Sequence, residues 1–84
     1  MIRFELTQHA EDVLIKRRIP MEWLERVLTS PQRIEPDAAE PDLEHRLAEI
    51  FEHENRVLRV IINPYLNPIR VVTLFFDRKM RGKL

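Results

Sequence analysis

Cysteine is absent from the 84 residues, so no disulfide forms and no thiolate serves as metal ligand or nucleophile. Glycine occurs once, at Gly82, which leaves no glycine-rich phosphate loop. No apolar run approaches the roughly 20 residues that cross a bilayer. Met1-Ile2-Arg3-Phe4-Glu5 lacks the apolar core of a signal peptide, so a cytoplasmic location without a membrane partner is expected. Metal-ligand spacing is also missing. His45 and His53, in one strand, would stand roughly 26 Å apart at about 3.3 Å per residue, too far to share an ion. Ser30 and the threonines lie in no nucleophile motif. Neither a metal nor a cofactor is expected.

What is present is a divided charge. Fourteen Lys and Arg balance fourteen Asp and Glu, but from Glu35 to Glu54 there are eight acids and one base, Arg46. From Arg56 to Leu84 there are seven bases and one acid, Asp77. The basic tail from about residue 77 would attract phosphate, the usual source of nucleic-acid affinity; a merely solvated tail is the plain alternative. Residues 1–84 make one domain, with 44% hydrophobic and 33% charged residues, a globular balance. A domain this small folds with a modest margin, which invites a partner or a homodimer.

The pattern predicts an α+β chain. A short strand or extended lead-in covers Arg3 to Leu6, and Thr7 is a candidate N-cap for a helix running to about Arg18. Ala10, Val13, Leu14 and Arg17 form one stripe of that helix. Pro20 suits the first turn of a second helix, Met21 to Thr29, which buries Trp23, Leu24, Val27 and Leu28 and stops at Pro31. A polar loop spans residues 36–42. Glu44 to Glu54 is read as a strand that turns through Glu54-Asn55, with Leu47-Ala48-Glu49-Ile50 also compatible with helix. The β-branched runs Arg56–Ile62 and Ile69–Phe76 then form a hairpin.

Strand parity places Leu58, Val60 and Ile62 with Val72, Leu74 and Phe76 under the helices. Arg59, Thr73, Val57, Ile61, Val71 and Phe75 fall on the other face, joined by Arg46 and Ile50 if the turn is tight. A one-residue slip would reverse the assignment.

Candidate chemistry is limited to a few polar side chains. His9, in the first turn of helix 1, could move a proton; a ring hydrogen-bonded to backbone is the structural alternative. Arg59, on an otherwise apolar strand, could grip a phosphate, with Thr73 beside it. Equally, Arg59 could cover its sheet face and pair with Glu49 or Glu52. Trp23 reads as core.

Thr7-Gln8-His9-Ala10, Arg17-Arg18-Ile19, the second helix ending at Ser30-Pro31, the run Arg56 to Ile62 and Val71-Val72-Thr73 together resemble a small bacterial domain-of-unknown-function family. That family is considered related to the BrnT and RelE toxins, and the resemblance extends from about Thr7 to Phe76. Its members carry glycine where Arg18 stands, and often arginine where Val13 stands. The resemblance implies two N-terminal helices packed on a three- or four-stranded antiparallel sheet. It further implies a toxin-like, metal-independent ribonuclease with His9, Arg17, Arg59 and Thr73 as catalytic candidates, neutralised by a small antitoxin-like protein. Arg46, Arg70, Arg78, Lys79 and Arg81 are the candidate RNA-binding residues. The alternative is a non-catalytic interaction module that buries its open sheet face against a partner or a second copy.

Overall fold

A computed structural model describes residues 2–84, and Met1 lies outside the described residues. The chain runs β1 (Phe4–Leu6), α1 (Gln8–Lys16), α2 (Met21–Thr29), β2 (Arg33–Pro36), β3 (Glu44–Ile50), β4 (Arg56–Asn63) and β5 (Ile69–Phe76). Single 3-10 turns at Phe51–His53 and Arg78–Met80 precede β4 and follow β5. The α+β expectation holds.

Thr7 caps α1 and fastens it to the sheet. Its hydroxyl oxygen accepts from the Ala10 N–H at 3.1 Å, and its O–H donates to the Val72 carbonyl at 2.8 Å. The helix ends two residues earlier than the charge pattern predicts, at Lys16. There Ile19 N–H donates to Leu14 O (2.9 Å) and Arg18 N–H to Ile15 O (3.2 Å), the paired bonds of a Schellman stop. That stop needs a left-handed residue, and Arg18 supplies it at φ 54. An L side chain in this region costs about 1–2 kcal/mol, a penalty glycine avoids. Arg18→Gly is therefore expected to raise stability by about 1 kcal/mol, once glycine's extra freedom in the unfolded chain is subtracted. Urea titration with an unchanged slope would show it, and a loss of stability would mean that the Arg18 side chain makes a compensating contact.

The sheet differs from the expected three or four antiparallel strands. It has five, in the order β1-β5-β4-β3-β2, and it is mixed: β1 runs parallel to β5 from Phe4↔Ile69 to Leu6↔Val71. At the far edge β2 pairs antiparallel with β3, from Arg33↔Leu47 to Pro36↔Glu44. β1 falls within the short strand expected at Arg3 to Leu6, and the strand not expected is β2, which is four residues long, too short to show alternation, and carries charges and a proline as edge strands do.

Two register features move side chains between faces. The strand predicted to reach Glu54 ends at Ile50, because Phe51–His53 coils and Glu54 and Asn55 both take positive φ. The pairing thus becomes Ile50↔Arg56. Relative to a two-residue turn this shifts the register by three, an odd number, so Arg46 and Ile50 fall on the helix side rather than beside Arg59. A bulge does the same in β5. Ile61 pairs with Thr73 but Ile62 with Val71, which sends Val71, not Val72, into the core.

The core sits between the helices and one sheet face. Leu24, Val27 and Leu28 of α2 and Ala10 and Leu14 of α1 pack with Leu58, Val60, Ile62 and Leu74. The opposite face is covered in part by the chain's own tail. Asp77 N–H donates to Val57 O at 2.8 Å, and Arg33 reaches the Lys83 carbonyl at 3.4 Å. Leu47 and Val57 on that face are fully buried.

Candidate functional site

β1 stops at Leu6, opposite Val71, so β5 from Thr73 to Phe76 has no strand on that side. α1 runs past this free edge. His9, Val13 and Arg17, at intervals of four, form a stripe of the helix facing it. Between helix and edge lies a cleft of about 820 Å³. Its remaining wall is built from His53, Arg56 and the start of the tail, Asp77, Arg78 and Arg81.

His9 Nε2 lies 3.0 Å from Thr73 Oγ1, which fixes the ring across the cleft mouth and leaves Nδ1 open. The Thr7 cap sets this geometry, since it pins the first turn of α1 to the backbone beside Thr73. Arg81 donates to the Glu54 carbonyl at 2.8 Å, and Arg56 stands 3.6 Å from the Glu54 carboxylate. Arg17 and Arg78 form no ion pair with any described residue. Among the described residues Asp77 is the single carboxylate lining the cleft, and it is engaged by Arg59. The cleft is thus a concentration of four guanidinium groups and two imidazoles at a strand edge.

Of the residues singled out from sequence, the fold brings His9, Arg17, Thr73, Arg78 and Arg81 together here. Lys79 is exposed on the tail turn and does not line the cleft, and Arg70 is exposed opposite Glu5 and Asn63. Arg46 is on the helix side, where it donates to Leu28 O at 2.7 Å and to Glu44 at 2.9 Å. Arg59 lies outside the cleft, with its side chain only 12% exposed. Its Nε donates to Asp77 at 2.9 Å and its Nη1 to Glu35 at 3.1 Å.

Arg59 Nη1 is also 2.7 Å from His45 Nδ1. A guanidinium has no acceptor, so that nitrogen carries the lone pair and Nε2–H donates to Asp37 at 2.6 Å. Asp37 in turn accepts from the backbone of Glu40 and Ala39. Its carboxyl is held down to about 2, mainly by the Glu40 N–H, then by His45.

His53 and Arg56 were not among the sequence-derived site residues. His53 lies within the five-residue turn between β3 and β4 and Arg56 directly follows it, and nothing in their local sequence signals that this turn meets the tail and faces α1 across the cleft. The turn is braced from α2. Arg26 grips Glu52 through two bonds of 2.7 and 2.6 Å and lies over the Phe51 ring at 5.5 Å. That grip is the main reason the Glu52 carboxyl falls to about 2 and the Arg26 guanidinium rises.

Glu52 and Asp37 are both depressed below their ordinary values of 4.5 and 3.8. Their stabilising contribution is complete above those values and is lost as pH falls toward about 2. The melting temperature is expected to hold down to about pH 5 and then drop steadily. Glu52→Gln should lower it at neutral pH and flatten the acid limb. An unchanged limb in the double variant Asp37→Asn, Glu52→Gln would rule these carboxylates out as its cause.

Comparison with known proteins gives one match. Residues 6–76 fit the model of the family described as Domain of unknown function (DUF4258), a span that includes every cleft residue except Asp77, Arg78 and Arg81. No curated protein and no solved structure matches the chain.

Proposed function

We propose that the chain, which belongs to the DUF4258 family, is a metal-independent endoribonuclease of the toxin type, kin to BrnT and RelE. The observation that carries the reading is the cleft, which Arg17, Arg56, Arg78 and Arg81 line together with His9 at an unpaired strand edge. Such a site suits a phosphodiester. Guanidinium groups hold the phosphate and stabilise the charge that grows on its oxygens, while an imidazole moves the proton. Carboxylates that would hold a divalent cation are not what lines it, hence the metal-independent form.

In this reading His9 takes the proton of the ribose 2′-OH, and Thr73 orients the ring through its 3.0 Å contact. The 2′-oxygen attacks phosphorus, leaving a 2′,3′-cyclic phosphate and a 5′-OH end. Arg59 does not touch the substrate. It anchors Asp77, and so the tail that brings Arg78 and Arg81 to the cleft. The proposed partner is a small antitoxin-like protein whose acidic groups would cover the same cations.

Purified protein incubated with single-stranded RNA and EDTA tests this. Cleavage to cyclic-phosphate ends is expected, with DNA of the same sequence intact because it lacks the 2′-OH. Binding of an uncleavable 2′-deoxy strand should weaken with salt, and replacing Arg17, Arg78 and Arg81 by alanine should lower that slope by about 2–3. Intact RNA at high enzyme concentration would overturn the catalytic reading, and salt-independent binding would remove the cleft from it. An apolar partner interface, the alternative use of this fold, would persist at high salt.

A further inference from the structure

One imidazole explains only half of the proton traffic in such a cleavage, because the departing 5′-oxygen also needs a proton. We infer that His53 is the general acid that supplies it, an inference that rests on the ribonuclease reading above. His53 lines the same cleft as His9 and makes no hydrogen bond to any described residue, so both ring nitrogens are free for a ligand. Packing rather than hydrogen bonding holds the ring. Its centroid lies 4.9 Å from that of Phe76 and 5.5 Å from that of Trp23.

The position fits the reaction. His9 is tied to Thr73 and His53 rests on Phe76, three residues further along β5, so the strand that borders the cleft holds both rings in it, from opposite faces. The 3-10 turn bearing His53 is braced by the Arg26–Glu52 pair, so the ring is placed before substrate arrives.

The step balances. The 2′-oxygen gives its proton to His9 and forms a bond to phosphorus; the bond from phosphorus to the 5′-oxygen breaks, its electron pair stays on that oxygen, and the His53 imidazolium donates the proton. Charged groups near His53 come from each neighbouring element: Arg17 at the C-cap of α1, Arg26 of α2, Glu52 and Glu54 of its own turn, Arg56 of β4, and Asp77, Arg78 and Arg81 of the tail.

The test compares wild type, His53→Gln and His53→Phe on two substrates, a short single-stranded RNA and a nucleoside 3′-(p-nitrophenyl phosphate). The nitrophenolate leaves without a proton. Both variants are expected to lose about 10²–10⁴-fold in kcat on RNA and to keep nearly the wild-type rate on the activated ester. The fall of wild-type kcat/KM at high pH, where a general acid is lost, should disappear with them. His53→Phe preserves the ring packing, so it carries the comparison should the glutamine variant fail to fold. Equal losses on both substrates, or none on either, would overturn the role of His53 while leaving the ribonuclease reading standing. A wild type that cleaves neither substrate would overturn both.

Discussion

Arg59→Ala is expected to destabilise the fold by about 2–3 kcal/mol and, on the proposed ribonuclease reading, to weaken RNA binding, although Arg59 does not reach the cleft. The side chain joins three parts of the chain: Asp77 at the root of the tail, Glu35 on β2 and His45 on β3. Removing one partner of a desolvated ion pair typically costs about 3–5 kcal/mol, because the other charges stay behind without compensation. Here Glu35 is 36% exposed and can rehydrate, which favours the lower figure; Asp77, at 15%, cannot do so as well. The second effect follows from Asp77. Its carboxylate accepts from Arg59 on one oxygen and from the Lys79 N–H on the other, so it sets the turn that aims Arg78 and Arg81. Released, those cations spread over many positions and bind phosphate less well. Urea denaturation and a salt titration of RNA binding read the two effects separately. A double-mutant cycle with Asp77→Asn should give a coupling of about 1 kcal/mol or more. Loss of cleavage with unchanged stability and unchanged binding would instead restore Arg59 to direct contact with substrate.

How much of this could be read from the residues follows from the range of the forces involved. Local signals transferred well. Thr7 as cap, Met21–Thr29 as a helix bounded by prolines, and the β4–β5 hairpin each depend on a few neighbouring residues. Face assignments depend on register, and register turned on two events that leave no local trace. One is the coil at Phe51–His53, the other the extra residue at Val72. Each is a shift by an odd number of residues, enough to carry Arg46 to the helix side and Val71 into the core. The alternative binding surface changes accordingly. Of the four apolar residues expected on the open face, Val71 is in the core and Val57 is fully buried, while Phe75 is 44% exposed.

The cleft was half legible for the same reason. His9, Arg17 and Thr73 stood out through motif and parity, and the cationic tail through its charge. That His53 and Arg56 join them depends on a turn between β3 and β4 folding toward a helix more than thirty residues earlier in the chain. Sequence pattern carries no term for that contact. Arg59 shows the opposite case. It was conspicuous as a charge in an apolar strand, and the fold answers it with Asp77, Glu35 and His45. In the folded chain that charge is paired at the root of the tail, outside the lining of the cleft.

On the proposed mechanism, His9→Ala should lower kcat/KM on RNA by about 10²–10⁴-fold, or about 3–5 kcal/mol of transition-state stabilisation. Stability should change by less than about 0.5 kcal/mol, because His9 is exposed and its one described hydrogen bond is to another side chain. Binding of a 2′-deoxy strand should be unchanged, since the phosphate is held by the arginines. Thr73→Val offers the sharper contrast. Valine keeps the branched shape that suits β5 but lacks the hydroxyl at 3.0 Å from Nε2, so the ring loses orientation and keeps its proton chemistry. A roughly tenfold fall in kcat with little change in KM is expected, because orientation alone is lost. Combining the two substitutions should then cost no more than His9→Ala by itself, as Thr73 acts only through the imidazole. Additive losses would show Thr73 touching the substrate directly. If His9→Ala cleaves like wild type, the proton at the 2′-oxygen is taken elsewhere, and the other cleft imidazole becomes the first place to look.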